Sequence, residues 1–163
     1  MRWSVLPTPI GELGVAVDDV GVCRVHFGGS PVRPVPPDGP VAAAALAQLR
    51  AYFSGELTAF DVPLSVSGGT PFDRAVWAAI AAIPYAEMCT YGEIAASAGD
   101  PSAARAAGIA CNRNPVPVLV PCHRVVGAGG KLVGFGGGLP RKRFLLELEA
   151  RVRVERDFGA GPD

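Results

Sequence analysis
Charge is scarce in this 163-residue chain: Asp, Glu, Lys and Arg supply only 18% of it, against 49% hydrophobic residues. That balance excludes an intrinsically disordered chain and leaves enough apolar surface for a sizeable core. No apolar run approaches the roughly 20 residues a bilayer span needs, so no membrane partner is expected. The opening Met1-Arg2-Trp3-Ser4-Val5-Leu6-Pro7 has no apolar h-region, and a secretory leader is not expected either. The four cysteines, Cys23, Cys89, Cys111 and Cys122, form no CxxC pair and no regular spacing, which argues against a disulfide framework and a zinc ribbon. A soluble, reduced, cytoplasmic protein is the expectation.

One sign of charge is missing from a long stretch. Residues 101–146 hold seven basic residues (Arg105, Arg113, Arg124, Lys131, Arg141, Lys142, Arg143) and no acid, whereas residues 1–100 hold five basic against ten acidic. A surface of single sign suits a polyanion, because each neutralised phosphate releases condensed counterions. A solvated basic face is the alternative.

The pattern predicts an α/β (α+β) chain. Ile10–Val17 and Val22–Phe27, separated by Asp18-Asp19-Val20-Gly21, read as a hairpin, with Cys23, Val25 and Phe27 on one face and Arg24 and His26 on the other. Five prolines and three glycines make residues 28–40 a loop. Val41–Phe53 reads as a helix stopped at Ser54-Gly55, Asp61–Val66 as a returning strand, and Gly68-Gly69 as a domain boundary. Thr70, Pro71 and Asp73 form a capping-box start for a helix whose Phe72, Val76, Trp77, Ile80 and Ile83 share a face, ended by Pro84. A short helix over residues 90–98, a break at Gly99-Asp100-Pro101 and a second helix from Ser102 to about Cys111 give a helix-turn-helix pattern. Ala103, Ala104, Ala106, Ala107, Gly108 and Ala110 leave Arg105 projecting from a smooth helix, which suits either close approach to a groove or tight packing in the interior.

Asn114-Pro115-Val116-Pro117-Val118-Leu119-Val120 is apolar and stiffened by prolines, and it leads into Pro121-Cys122-His123-Arg124. A cysteine held beside an imidazole and a guanidinium is expected to sit in positive potential that favours the thiolate. In an extended segment Cys122 and His123 would point to opposite faces, so a bridging water or a bend is needed between them. Cys23, Cys89 and Cys111 lack such a setting and read as structural thiols. Seven glycines over 127–138 match no phosphate-cradle motif and read as a mobile or tightly turned loop.

Arg113-Asn114-Pro115 followed by Pro121-Cys122-His123-Arg124-Val125-Val126-Gly127 strongly resembles the active-site signature of the O6-alkylguanine-DNA alkyltransferases (methylated-DNA–protein-cysteine methyltransferases). The likeness extends through Thr90-Tyr91-Gly92-Glu93-Ile94, Ser102-Ala103-Ala104-Arg105-Ala106-Ala107-Gly108, the opening hairpin and Phe53-Ser54-Gly55-Glu56-Leu57, covering residues 1–149. It implies a ribonuclease-H-like N-terminal domain over 1–68 and a winged-helix-like DNA-binding and alkyl-acceptor domain over 69–150; residues 151–163, ending Gly159-Ala160-Gly161-Pro162-Asp163, read as a flexible tail. It implies a single-use methyltransferase that moves an alkyl group from O6 of a flipped-out guanine, and by extension O4 of thymine, onto Cys122.

The same resemblance makes His123 the base acting through a water, Glu149 the carboxylate orienting it, Asn114 the brace of the turn, and Tyr91 the phenol donating toward O6. Without it, Glu149 would read as a surface acid pairing with Arg153. Arg105 resembles the finger that fills the vacated stack, with Ser102, Ala103, Ala104, Arg113 and Arg124 facing DNA. Val125, Val133, Phe135 and Gly136 would line the substrate pocket, although many relatives carry tyrosine and a serine or alanine at the last two positions. Arg141, Lys142 and Arg143 face phosphate or begin an ordinary solvated helix. The implied partner is double-stranded DNA containing O6-alkylguanine, met by a monomer without a cofactor. Cys23 and His26, two ligands on opposite strand faces, are too few for a metal. Two other readings stay open: a non-catalytic lesion-recognising DNA-binding protein, and a regulator with Cys122 as redox sensor.

Overall fold
The computed structural model describes residues 1–159. Three strands, β1 (Arg2–Leu6), β2 (Leu13–Val17) and β3 (Val22–Phe27), form an antiparallel meander. The expected hairpin is its second half; β1, missed in the sequence, pairs Arg2 with Val17 through Leu6 with Leu13. Every residue of β2 is buried, so the period-two signal is absent from the central strand, as covering on both faces requires. A register shift at Ala16/Val17 leaves Cys23 unpaired on β3, which puts Val22 and Val25 both inside and Cys23 only partly so.

Helix α1 (Pro40–Phe53) packs on this sheet through Ala42, Ala45, Leu46, Leu49 and Tyr52. Residues 61–66 do not return as a strand: a single bridge joins Val22 to Leu64, with Val22 N–H donating to Pro63 O and Ser65 N–H to Val22 O. Proline at 63 removes a ladder donor and limits the pairing.

Helix α2 (Pro71–Ala81) begins with the expected capping box, Asp73 N–H donating to Thr70 Oγ1 at 3.0 Å and Thr70 N–H to Asp73 Oδ2 at 3.0 Å. A two-residue strand β4 (Cys89–Thr90) leads into α3 (Tyr91–Ser97), whose own capping box joins Thr90 to Glu93. After a turn in which Ser102 donates to Asp100 Oδ1, α4 (Ala104–Asn112) begins two residues later than the pattern placed it. Trp77 Nε1 donates to Ala110 O at 2.8 Å and fixes α4 on α2.

Strand β5 (Val125–Val126) pairs in parallel with β4, and helix α5 (Leu139–Phe158) closes the fold. Its helical span includes 151–158, so the flexible tail expected from 151 is not found there; residues 160–163 lie outside the described part. The core is continuous from Leu6 and Leu13 through Leu49 and Ile80 to Leu145 and Val152, each fully buried aliphatic side chain contributing roughly 1.5–3 kcal/mol. Among the described residues, no helix is long and apolar enough to cross a membrane.

Candidate active site
The segment before Cys122 is a series of turns pinned by one amide. Asn114 Oδ1 accepts from Val116 N–H at 3.0 Å while its Nδ2 donates to Val120 O at 2.8 Å. Between these anchors Val118 takes φ 73°, a left-handed conformation that costs a β-branched residue about 1–3 kcal/mol and survives only where its surroundings impose it. Pro121, at φ −81° and ψ 65°, makes an inverse γ-turn closed by Cys122 N–H donating to Val120 O at 2.8 Å. Cys122–Arg124 then form one 3-10 turn. The backbone at Cys122-His123 is thus bent rather than extended, so opposite-face alternation does not apply to this pair.

His123 is fully buried, and its Nε2 lies 2.7 Å from Glu149 Oε2. Glu149 is equally buried, not the surface acid that local pairing would make it. Its Oε2 also accepts from Tyr52 O–H at 2.6 Å and Arg124 Nη2 at 3.0 Å, and its Oε1 from Arg124 Nε at 2.8 Å and Ala86 N–H at 3.1 Å. Ala86 reaches it from a left-handed φ of 61°. Burial alone would raise the Glu149 carboxyl, but hydrogen bonds and charge from His123 and Arg124 outweigh it and hold the group at about 2. The carboxylate is therefore ionised and accepts from Nε2–H. Burial pulls His123 below its usual value, and Glu149 opposes that only in part because Arg124 already compensates it. The imidazole is neutral near pH 7, which makes Nδ1 the basic nitrogen. That Nδ1 is buried without a protein partner.

Cys122 is only 7% exposed. Burial pushes its thiol up to about 11, against smaller lowering effects from the Asn114 hydrogen bond and the Lys142 charge. The expected low-pKa thiolate is therefore corrected: the adjacent guanidinium is directed at Glu149, and the thiol keeps its proton at pH 7. Arg124 is itself buried, with Nη1 donating to Ile83 O at 2.7 Å, so it is not a DNA-facing residue.

Lys142 was missed as a site residue. Fully buried, it donates through Nζ to Val125 O at 2.6 Å, Val133 O at 3.1 Å and Gly134 O at 3.1 Å, and it does not meet phosphate. Burial lowers its ammonium from the usual lysine value. Tyr91 O–H donates to Val133 O at 3.0 Å, and burial raises the phenol to about 12, so it remains a donor at every physiological pH. Lys142 and Tyr91 together hold the glycine-rich loop against the site.

A cavity of about 150 Å³ opens in front of Cys122. Phe135 and Gly136 line it, whereas Val125 is buried in β5, paired with Cys89, and Val133 is partly exposed on the loop with its side chain against Gly127. Val25, Phe27, Cys111, Asn112, Asn114 and Pro117 complete the lining. Cys111, read as structural from its sequence neighbours, thus shares the Cys122 cavity, though burial pushes its thiol up to about 12. Across α4, Arg105 is exposed, Ala103 and Ala104 are half-buried at the helix start, and Ser102 is exposed in the turn before it. Arg113 projects into solvent just after α4, 3.7 Å from Asp73 Oδ2.

Two family models match the chain: the 6-O-methylguanine DNA methyltransferase ribonuclease-like domain over residues 1–66, and the DNA-binding domain of the same name over 71–151. A methylated-DNA–protein-cysteine methyltransferase of Mycobacterium bovis is 57% identical over 153 residues, covering 91% of this chain and 92% of its own. One from Methanosarcina acetivorans is 47% identical over 154 residues, covering 91% and 98%. Among solved structures, Mycobacterium tuberculosis OGT in complex with DNA aligns at TM-score 0.84 with 46% identity, covering 93% of this chain and 94% of that one.

Proposed function
The chain belongs to the 6-O-methylguanine DNA methyltransferase family, and from that premise we propose how its own residues perform the repair. The protein removes an alkyl group from O6 of guanine in double-stranded DNA by direct transfer to Cys122, once per molecule. The O6 substituent lies at the base-pair edge, so the nucleotide must be rotated out of the stack, at a cost of a few kcal/mol that is least for a poorly paired, damaged base. Exposed Arg105 on the smooth face of α4 fills the vacated position, and Arg113 meets the backbone. Residues 69–150 carry this DNA-binding and acceptor work, and 1–68 form the ribonuclease-H-like domain packed on it; the setting is the cytoplasm.

With a thiol at about 11, the sulfur needs a base. His123 Nδ1 accepts the thiol proton through a water while Nε2–H stays on Glu149, whose negative charge stabilises the imidazolium that forms. The sulfur attacks the alkyl carbon, an S–C bond forms and the C–O6 bond breaks. Tyr91 O–H exchanges Val133 O for the departing oxygen and assists the guanine in leaving as its anion, which the proton held on His123 neutralises by way of solvent, returning the imidazole to its neutral form. The thioether is stable, so the molecule is consumed.

The observation that carries this reading is the pairing of a buried neutral thiol with an adjacent imidazole whose free nitrogen is the basic one. Incubation with an oligonucleotide containing O6-methylguanine, followed by peptide mass analysis, tests it. One methyl per molecule on the Cys122 peptide, and none in Cys122→Ser, is expected. An unmodified protein that leaves the lesion in place would falsify the mechanism and favour a lesion-recognising protein without chemistry; one that repairs many lesions per molecule would overturn the single-use transfer to Cys122.

A further inference from the structure
The cavity at Cys122 is not built by the second half of the chain alone, since β3 contributes Val25 and Phe27 to its wall. Val25 N–H donates to Pro115 O at 2.9 Å, which fastens β3 to the segment that carries the nucleophile. Phe27, the last residue of β3, lies 5.5 Å from the Phe135 ring at an interplanar angle of 59°, a tilted aromatic contact across the cavity. The Arg141 guanidinium sits 5.5 Å over the Phe27 ring and donates to Ile10 O at 2.9 Å and Gly137 O at 3.1 Å. A Cβ at Gly137 would stand 2.9 Å from both rings, so the loop passes between them only as glycine.

We propose that Phe27 is a specificity-determining residue: with Phe135 it forms an aromatic gate that sets how large an alkyl substituent can be brought to the Cys122 sulfur. This rests on the alkyl-transfer reading above. A cavity near 150 Å³ accommodates about one benzene-sized ring. Guanine is itself two fused rings, so even the methylated base needs the cavity to widen, and a base bearing a benzyl group asks for a further ring's volume. One of the two phenylalanines must then give way. Phe135 stands among Gly134, Gly136 and Gly137 and is the half that moves; Phe27 is held by the sheet and by Arg141 and is the half that limits.

The test measures the rates at which Cys122 is alkylated by duplex oligonucleotides carrying O6-methylguanine or O6-benzylguanine. Phe27→Ala should raise the benzyl-to-methyl rate ratio at least about tenfold, the low end of what one methylene is worth in an apolar pocket. Phe27→Trp should lower that ratio, and Arg141→Gln, which frees the ring without deleting it, should raise it less. Arg141→Gln also serves if Phe27→Ala folds poorly. An unchanged ratio with both rates reduced would assign Phe27 to packing and overturn the proposal while leaving alkyl transfer intact. Wild-type protein that takes an alkyl group from neither oligonucleotide would instead bring down the transfer reading itself, and the gate with it.

Discussion
Arg124 and Lys142 lie in the interior and donate to the protein's own carboxylate and carbonyls, whereas Arg105 and Arg113 stand in solvent on and beside α4. All four belong to the same acid-free stretch, so the one-signed charge of residues 101–146 is two populations, one structural and one outward-facing. The buried pair is arranged along α5: Lys142 and Glu149, seven residues apart on one helical face with Leu145 and Val152, grip the Cys122–Val125 segment at both ends. Net charge by segment therefore overstates the surface available to a polyanion, and burial decides which cations count.

The largest effect should come from removing the partner of a buried charge. Arg124→Met leaves Glu149 buried with its bidentate cation gone, and destabilisation of about 3–5 kcal/mol is expected in denaturant melts. Arg105→Ala should stay within about 0.5 kcal/mol. Equal stability losses in the two variants would erase the distinction.

Acid should act on the same interior group. A carboxyl held at about 2 against a usual 4.5 contributes stability that is fully present above pH 4.5 and lost as pH falls toward 2. His123, depressed by burial, adds a loss that begins as pH drops below the ordinary histidine range. Melting temperature should thus fall steadily with acidity, and Glu149→Gln should flatten the part below pH 4.5. A smaller cost, about 1–3 kcal/mol, is expected for Lys142→Met, which strands three carbonyls. It should also slow methyl transfer by loosening the loop that Tyr91 touches, measurable as a lower single-turnover rate.

Local chemistry in the sequence is enough to place the Thr70 capping box, the start of α1 and the two helices before Cys122, because each is decided by neighbours within four residues. The polar centre was beyond that reach. Glu149 reads as a surface acid from Arg153 alone, and only the family likeness brought it to His123. Tyr52 shares a face with Ala45 and Leu49, which signals its burial but not its partner 97 residues away. For Lys142 the spacing with Leu145, Glu149 and Val152 marks a core-facing stripe, and a lysine there overrides the habit of assigning cations to solvent. The family likeness puts Val125 and Val133 at the pocket; strand pairing buries the first in β5, and the second packs its side chain against Gly127. Phe27 and Val25 went unseen because the β3 contact with Pro115 is a pairing of distant segments with no motif to announce it.

The smallest stability effect carries the sharpest information about the outward pair. Arg113 is 62% exposed along its side chain, and its 3.7 Å approach to Asp73 is a solvent-screened contact worth at most about 1 kcal/mol. Its loss should hardly move the melting curve. If it neutralises a phosphate, Arg113→Ala should reduce the slope of log affinity against log salt by about 0.9 on undamaged duplex, with no dependence on the lesion. Arg105, proposed to fill the gap in the stack, should then behave differently: Arg105→Ala should slow methyl transfer from a flipped guanine more than it weakens binding to intact DNA. The comparison fails if Arg105 and Arg113 change the salt slope equally and the transfer rate not at all, since both would then be ordinary solvated cations.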